Sequence, residues 1–206
     1  MVLYKRGLIR GMSMRTGRRK MIGHSIYERL EYIENTSTAY IDCELKPKHT
    51  FDYEIKTDII TGQGILGCIF NNDTTDFRFF NTKPTNWFDV GSHRIFLKVD
   101  TGTPTHIKFG NYFIENLVNK EKVTGVIFDE KMNNAIITNL FLWNIKPSDH
   151  SFASTGKIWL LNINDNGKPI RKFIPVKRKS DGVIGMYDLV GRKFYTSPNG
   201  VAFTGG

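Results

Sequence analysis

Polar and apolar residues alternate without a break along residues 51–59. Every second position from Phe51 to Ile59 is aromatic, aliphatic or threonine, and the intervening positions are the charged residues Asp52, Glu54, Lys56 and Asp58. A period of two over this length predicts a β-strand with one buried and one solvated face. Residues 94–99 alternate in the same way and predict a second strand, although either of its faces could point inward.

Several more short apolar runs follow, and turn-forming residues separate them. The runs lie at 65–70, 77–80, 107–114, 123–128, 135–145, 157–163, 170–176, 183–187 and 193–196. The turn signals are Asn71-Asn72-Asp73, Asp100-Thr101-Gly102, Asp165-Asn166-Gly167, Ser180-Asp181-Gly182 and Asn199-Gly200. Many short strands at this spacing predict an all-β protein, either a sandwich or a barrel.

One segment conflicts with this strand pattern. Ser25 and Glu28 have the spacing of a helix capping box, and Leu30 and Ile33 follow at helical spacing. Local rules alone therefore predict a short helix over 26–33.

The composition is that of a globular protein. Of the 206 residues, 40% are hydrophobic and 24% are charged, which suits one domain with a buried core. No stretch reaches the roughly 18 consecutive apolar residues of a membrane-spanning helix, so membrane insertion is not expected. Two cysteines, Cys43 and Cys68, are too few for a disulfide-rich scaffold or a zinc site, and the sequence leaves open whether they pair.

The formal net charge of +9 is concentrated near the N-terminus. Residues 1–27 hold seven basic residues and no acidic one, whereas residues 28–206 hold 22 basic and 20 acidic residues. The chain is therefore predicted to be a nearly neutral body, 28–206, preceded by a non-globular basic N-terminal arm, 1–27.

Three interpretations of the arm are open: an organelle transit peptide, a solvated tail, or a docking segment that becomes ordered on a partner. A secretory signal is not expected, because no apolar core follows the basic residues. Docking on an acidic protein surface is favoured over nucleic acid, because phosphate binding would not require the apolar side chains of the arm. The docking candidates are Leu3, Tyr4, Leu8 and Ile9 for burial and Lys5, Arg6, Arg10, Arg15, Arg18, Arg19 and Lys20 for charge.

Two motifs imitate ligand sites but fit turns better. Residues 62–67 match the G-x-G-x-x-G dinucleotide fingerprint, yet the residues after them favour a strand, so the glycines are interpreted as part of a hairpin. Residues 162–167 imitate the start of a calcium loop, but Phe173 stands where a bidentate Glu is needed. A type I′ turn at Asn166-Gly167 is the simpler prediction. No cofactor is expected, and calcium binding at other loops stays open.

The sequence contains no convincing catalytic set. The five histidines are isolated from one another, and the G-x-S-x-G motif is absent. Asp52, Glu54 and Asp58 could supply the paired carboxylates of a glycosidase. Their alternation with apolar residues and Lys56 is more typical of a solvated sheet face, so we expect no enzyme.

An aromatic pair, Trp87-Phe88, lies in a loop-like stretch between Pro84 and Gly91. An exposed aromatic side chain between polar neighbours can stack on a sugar ring, whereas a hydrophobic plug over the end of the sandwich is the alternative. The candidate glycan contacts are Trp87, Asn86 and Asp89.

The two ends of the neutral body carry distinctive sequence. Residues 30–36 read Leu-Glu-Tyr-Ile-Glu-Asn-Thr and are followed by Tyr40-Ile41-Asp42. The C-terminal segments are Gly156-Lys157-Ile158-Trp159, Asp165–Lys168, Arg171–Pro175, Arg178–Val190 and Lys193–Thr196. Together these segments resemble the concanavalin A-like (laminin G-like) jelly-roll domains found in virion proteins of phages and prophages of gut bacteria. The resemblance spans 28–206, although roughly 60–135 match only in strand pattern.

This resemblance implies a two-sheet antiparallel jelly-roll sandwich and replaces the helix over 26–33 with a strand. It also implies a protein without hydrolase activity, because the E-x-D-x-x-E strand of laminarinase-like members is absent here. No ligand residue is implied.

The resemblance and the basic arm together lead us to expect a phage virion structural protein at the particle surface. The arm would dock on capsid or tail proteins, with a head fibre or capsid decoration favoured over the tail. A homo-oligomer and weak binding to host-surface or mucus glycans are also expected. The alternative is a secreted or surface bacterial lectin-like protein or a glycosidase relative.

Overall fold

A computed structural model describes residues 26–61, 64–69, 76–82, 85–90, 93–98, 104–125, 136, 138–145 and 153–206. The docking candidates of the arm lie outside these residues, so their role stays a prediction. They are Leu3, Tyr4, Lys5, Arg6, Leu8, Ile9, Arg10, Arg15, Arg18, Arg19 and Lys20.

The described residues form seventeen β-strands and no helix, which confirms the all-β prediction. In chain order the strands are β1 (Tyr27–Arg29), β2 (Ile33–Asn35), β3 (Ile41–Asp42), β4 (Phe51–Thr61), β5 (Leu66–Ile69), β6 (Asp76–Thr82), β7 (Thr85–Val90), β8 (His93–Lys98), β9 (Thr105–Gly110), β10 (Phe113–Asn116), β11 (Lys122–Thr124), β12 (Phe141–Leu142), β13 (Thr155–Asp165), β14 (Lys168–Arg178), β15 (Ile184–Asp188), β16 (Lys193–Tyr195) and β17 (Thr204–Gly205).

The strands form two antiparallel sheets. The large sheet has the order β11-β10-β9-β4-β13-β14-β15-β16, with β1 paired to β14 and β2 paired to both β13 and β17. The small sheet has the order β3-β12-β5-β6-β7-β8. Non-consecutive strands such as β4 and β13 are neighbours in the large sheet, so long connections join distant parts of the chain.

A shared aromatic core joins the two sheets face to face. The ring of Tyr53 on β4 lies 5.5 Å from that of Phe77 on β6, and the ring of Phe109 on β9 lies 4.5 Å from Phe79. Phe88 on β7 packs against the same Phe109 ring at 4.7 Å. Burying one such side chain stabilises the fold by about 1.5–3 kcal/mol. The molecule is therefore a β-sandwich.

The alternating segments are strands with one solvent-exposed face. On β4, Tyr53, Ile55 and Thr57 are at most 1% exposed, which confirms the predicted inner face over 51–57, whereas the side chain of Ile59 lies outside the described part of the structure. On β8, Ile95 and Leu97 are buried and Arg94 is exposed, so the aliphatic side of 94–99 faces the core.

The helix predicted over 26–33 is wrong. Tyr27–Arg29 pair with Val176–Arg178 of β14, and Ile33–Asn35 pair with Gly156–Ile158 of β13. The hydrogen bonds to two long strands outweigh the local capping signal. Helix propensity contributes little free energy, and tertiary contacts commonly override it. The strand expected from the resemblance is confirmed.

The hairpin interpretation of the glycines near residue 64 is also wrong. Strand β4 belongs to the large sheet and β5 to the small one, so they do not pair. A Cβ on Gly64 would lie 2.6 Å from Ile145 Cγ2, and one on Gly67 would lie 2.5 Å from the Phe77 carbonyl oxygen. These glycines make room for close packing. Gly67 lies within β5, so no helix opens there as a dinucleotide site would require.

The turn at Asn166-Gly167 is confirmed. Its φ angles are 48° and 74°, and two positive φ angles are the mark of a type I′ turn. The turn joins β13 to β14, the strands that the resemblance marked. The turn signals at 71–73 and 100–102 lie outside the described residues.

Candidate functional site

The predicted sugar-contact residues lie in a strand and not in a loop. Thr85–Val90 form β7, which pairs with β6 on one side and β8 on the other. Phe88 is 1% exposed and belongs to the core, so the loop placement of this stretch was wrong. The side chains of Trp87 and Asn86 lie outside the described part of the structure, so their role as glycan contacts stays a prediction.

Asp89 sits at the centre of an ion-pair row that crosses three strands of the small sheet. Arg78, Asp89 and Arg94 occupy one register position on β6, β7 and β8, and we call them the arginine row. Arg94 donates to both Asp89 carboxylate oxygens, from Nε at 2.6 Å and from Nη2 at 2.8 Å, and Arg78 Nε donates at 3.3 Å. The Asp89 side chain is 5% exposed, against 42% for Arg94 and 23% for Arg78. Asp89 therefore positions two guanidinium groups and is itself covered, and its role as a glycan contact stays a prediction.

Three aromatic residues occupy the register position two residues away. Phe80, Trp87 and Phe96 stand opposite one another on β6, β7 and β8, and we call them the aromatic row. Sequence reasoning singled out Trp87 but missed its neighbours, because the register of β6 and β8 is not visible in the chain.

The outer face of the large sheet carries a second polar network. Glu54 Oε1 lies 2.8 Å from His106 Nε2 on β9, and Glu54 Oε2 accepts a hydrogen bond of 3.1 Å from Asn162 Nδ2 on β13. Asp52 accepts from Asn164 Nδ2 at 2.7 Å and lies 3.4 Å from Lys108 Nζ. The carboxylates of β4 are therefore held by side chains from both flanking strands.

The protonation of Glu54 follows from these partners. Partial burial raises the pKa of Glu54, but the hydrogen bonds from Asn162 and His106 outweigh it, so the net pKa lies below the usual value. A glycosidase acid needs the opposite, a pKa raised toward neutrality. The network supports the interpretation of this row as a solvated sheet face.

An aromatic pair on the large sheet was missed altogether. Tyr32 and Trp159 have ring centroids 5.9 Å apart, with Lys157 Nζ 4.1 Å from the Tyr32 ring and Lys56 Nζ 5.4 Å from the Trp159 ring. The register of β13 against β4 shifts between Ile158 and Leu160, so Trp159 sits at a bulge. A bulge re-aims a side chain without a clear sequence signal, which is why alternation did not reveal this pair.

Two open hollows lie at the margins of the sandwich. One of about 380 Å³ borders the Asn111-Tyr112 turn and includes Asp52 and Asn166; Tyr112 beside it is 59% exposed. The other, of about 430 Å³, lies between the β14–β15 turn and residues 200–203.

The described residues contain neither a metal-binding cluster nor a membrane-spanning helix. Within them, no group of three or more His, Cys, Asp or Glu side chains could hold a metal ion. No helix among these residues has the length and apolar character needed to span a membrane.

Comparison with known proteins assigns no family. No protein-family model matches the chain, and no curated protein matches it.

Proposed function

We propose that the chain is a non-enzymatic structural protein of a phage virion. In this proposal the arm, 1–27, docks on capsid or tail proteins, and residues 28–206 form a concanavalin A-like jelly roll displayed at the particle surface. The observation that supports it is the two-sheet antiparallel sandwich, formed by the same residues that resemble those virion domains. A head fibre or capsid decoration is favoured over a tail protein.

The junction between the arm and the body is compatible with the arm serving as an anchor. The first strand of the body, β1, pairs with Val176–Arg178, and the Ile26 carbonyl accepts a hydrogen bond of 2.9 Å from Lys179 N. Ile26 itself is 54% exposed. The arm thus meets the large sheet at a solvent-exposed and hydrogen-bonded residue.

Display on a particle would make weak recognition effective. Many copies of one domain raise the effective concentration of each binding site, so avidity exceeds the affinity of one copy. A homo-oligomer and host-surface or mucus glycans are the partners that this arrangement favours. Nucleic acid is not favoured, because the body has nearly balanced charges.

Deletion of residues 1–22 in the phage that encodes the chain tests the anchor. We expect the shortened protein to keep the thermal melting of the full chain but to be lost from purified particles. A variant with Arg15, Arg18, Arg19 and Lys20 changed to Gln isolates the charge contribution and should be incorporated less efficiently. Normal incorporation of the shortened protein would overturn the proposal. Release of reducing sugar from a β-glucan would instead favour the glycosidase alternative.

A further inference from the structure

We propose that the hollow beside the Asn111-Tyr112 turn binds neutral saccharides. Its volume of about 380 Å³ lies within the roughly 300–1,000 Å³ of small-ligand sites. Tyr112 would support one face of a sugar ring, and Asp52 and Asn166 would accept hydrogen bonds from its hydroxyl groups. This inference rests on the proposed display function and adds the place on the domain and the chemical class of the glycan.

Tyr112 presents an exposed aromatic ring at the margin of the hollow. It is 59% exposed, and among the described residues its ring contacts no other ring and no cation. Its backbone carbonyl accepts a hydrogen bond of 2.9 Å from Gly125 N, which ties the turn to the segment after β11. A tyrosine combines an apolar ring with a polar hydroxyl and has only two side-chain torsions to restrict. It can therefore pack against a sugar ring at a small cost in conformational entropy.

The carboxylate of Asp52 is held in place through one of its two oxygens. Oδ1 accepts a hydrogen bond of 2.7 Å from Asn164 Nδ2 and lies 3.4 Å from Lys108 Nζ. Among the described residues Oδ2 makes no such contact, and the Asp52 side chain is 18% exposed. Because a carboxylate oxygen has two lone pairs, Oδ2 can accept hydrogen bonds from the hydroxyl groups of a ligand.

Gly110 keeps the space beside Asp52 open. The two residues stand opposite each other on β9 and β4. A Cβ on Gly110 would lie 3.3 Å from Phe113 Cε1 and 3.4 Å from Asp52 Cβ, so a side chain at this position would fill part of the hollow. The absence of a side chain here is what leaves room for a ligand beside the carboxylate.

Asn166 supplies a second acceptor at the hollow. Its backbone N donates a hydrogen bond of 3.0 Å to the Thr50 carbonyl, which fixes the β13–β14 turn against the start of β4. Its side-chain Nδ2 donates to Asp165 Oδ1 at 3.0 Å, so the amide oxygen keeps its capacity to accept. The carboxylate and the amide are therefore both positioned before a ligand arrives.

The charges at the hollow favour a neutral ligand. Lys108 lies against Asp52, so these two side chains together carry no net charge. An anionic group would meet the Asp52 carboxylate, and a cationic group would compete with Lys108 for it. Lys122, whose Nζ lies 4.6 Å from the centre of the Phe113 ring, opposes a cation further. Hydroxyl groups can donate to the carboxylate and amide oxygens without either cost.

The test is a glycan array probed with the full chain, followed by calorimetry. The array carries neutral, sialylated and sulfated oligosaccharides, and the neutral saccharide with the strongest signal is titrated against the variants. We expect neutral saccharides to be bound, and Tyr112→Ala to weaken binding of the titrated one about fivefold. Asp52→Asn keeps the shape of the side chain but removes the charge of its acceptors, and should weaken binding about tenfold.

Matched variants separate the hollow from general surface effects. Val118→Ala shortens another exposed apolar side chain, and Asp181→Asn neutralises a carboxylate beside the other hollow. Both variants should bind like the unchanged protein. If Asp52→Asn does not fold, Asn166→Gly replaces it. This change removes the second acceptor, and glycine tolerates the positive φ of 48° at this position, so binding should weaken while the turn is kept.

Three outcomes would overturn the inference: no binding of any neutral saccharide on the array, tighter binding of charged saccharides than of neutral ones, or equal losses in the Tyr112→Ala and Val118→Ala variants. Incorporation of the full chain into particles is measured separately. A full chain that is incorporated but binds no neutral saccharide would overturn the site and leave the proposed virion role intact.

Discussion

Asn35 Nδ2 donates a hydrogen bond of 2.7 Å to the carbonyl oxygen of Ser154, a residue 119 positions away in the chain. The same nitrogen donates to Ala39 O at 2.9 Å. The Ser154 hydroxyl in turn donates to Gly64 O at 2.7 Å and accepts from Gly64 N at 3.0 Å. These buried bonds tie β2 and the start of β13, in the large sheet, to the segment that enters β5 of the small sheet.

Replacing Asn35 with alanine should remove this junction. The change leaves buried carbonyl groups without a donor, so we expect a loss of about 2–3 kcal/mol in the free energy of unfolding. Urea denaturation followed by tryptophan fluorescence measures it. Asn119→Ala, at an exposed turn, is the matched control and should change stability by less than about 0.5 kcal/mol. Equal losses in the two variants would refute the junction.

Gly67→Ala tests the close packing of β5. The added methyl group would meet Ile145 and the Phe77 carbonyl oxygen, and backbone cannot move aside cheaply. We expect a destabilisation of about 2 kcal/mol or more. Gly125→Ala serves as the control, since its methyl group would reach only ordinary contact with Ile95, at 3.4 Å. Thermal melting of the two variants should differ by several degrees, and similar melting would contradict the packing argument.

The stability of the folded protein should depend on pH through Glu54. Its folded pKa lies below the ordinary value of 4.5, so its contribution is complete above pH 4.5 and is lost as the pH falls through the lower folded value. At neutral pH, Glu54→Gln should cost about 0.5 kcal/mol, because solvent weakens the pair with His106. The difference in the free energy of unfolding between the two proteins, measured by urea titration at several pH values, should decrease in acid. An increase of this difference in acid would contradict the prediction.

The buried thiols should be chemically silent in the folded protein. Burial, and to a lesser extent Asp42, raises the pKa of Cys43, and both Cys43 and Cys68 have no exposed surface. A thiolate is the reactive form, so a thiol reagent should modify neither residue until the protein unfolds. Colour development with a chromogenic disulfide reagent, with and without denaturant, measures this. Rapid modification of either thiol under native conditions would show that the core is open.

The predictable parts of the fold were those that rest on local patterns. The alternation of β4 and the φ preferences of Asn166-Gly167 belong to the residues themselves, and both predictions were confirmed. The helix over 26–33 and the loop around Trp87 were wrong because sheet partners distant in sequence decide the conformation there.

The candidate site was less predictable than the fold. Asp89 was identified, but its role depends on the register that sets it between Arg78 and Arg94. The composition of a strand does not determine its register. A shift of one residue would leave the composition unchanged but move each side chain to the other face. The Tyr32–Trp159 pair depends on a bulge in β13 and left no pattern to find.

The pairing of β1 with β14 and of β2 with β13, two of the eleven-residue strands of the large sheet, has a mechanical consequence. A pull on the arm enters the body at Ile26 and passes along β1 and β2, which are hydrogen-bonded to β14 and β13, each eleven residues long. Ladder hydrogen bonds lie perpendicular to the strands, so a force along the strand axis shears several of them at once instead of opening them in turn. A domain tethered through this arm and pulled along the strand axis would therefore resist detachment by flow better than one held by an edge hairpin that can unzip.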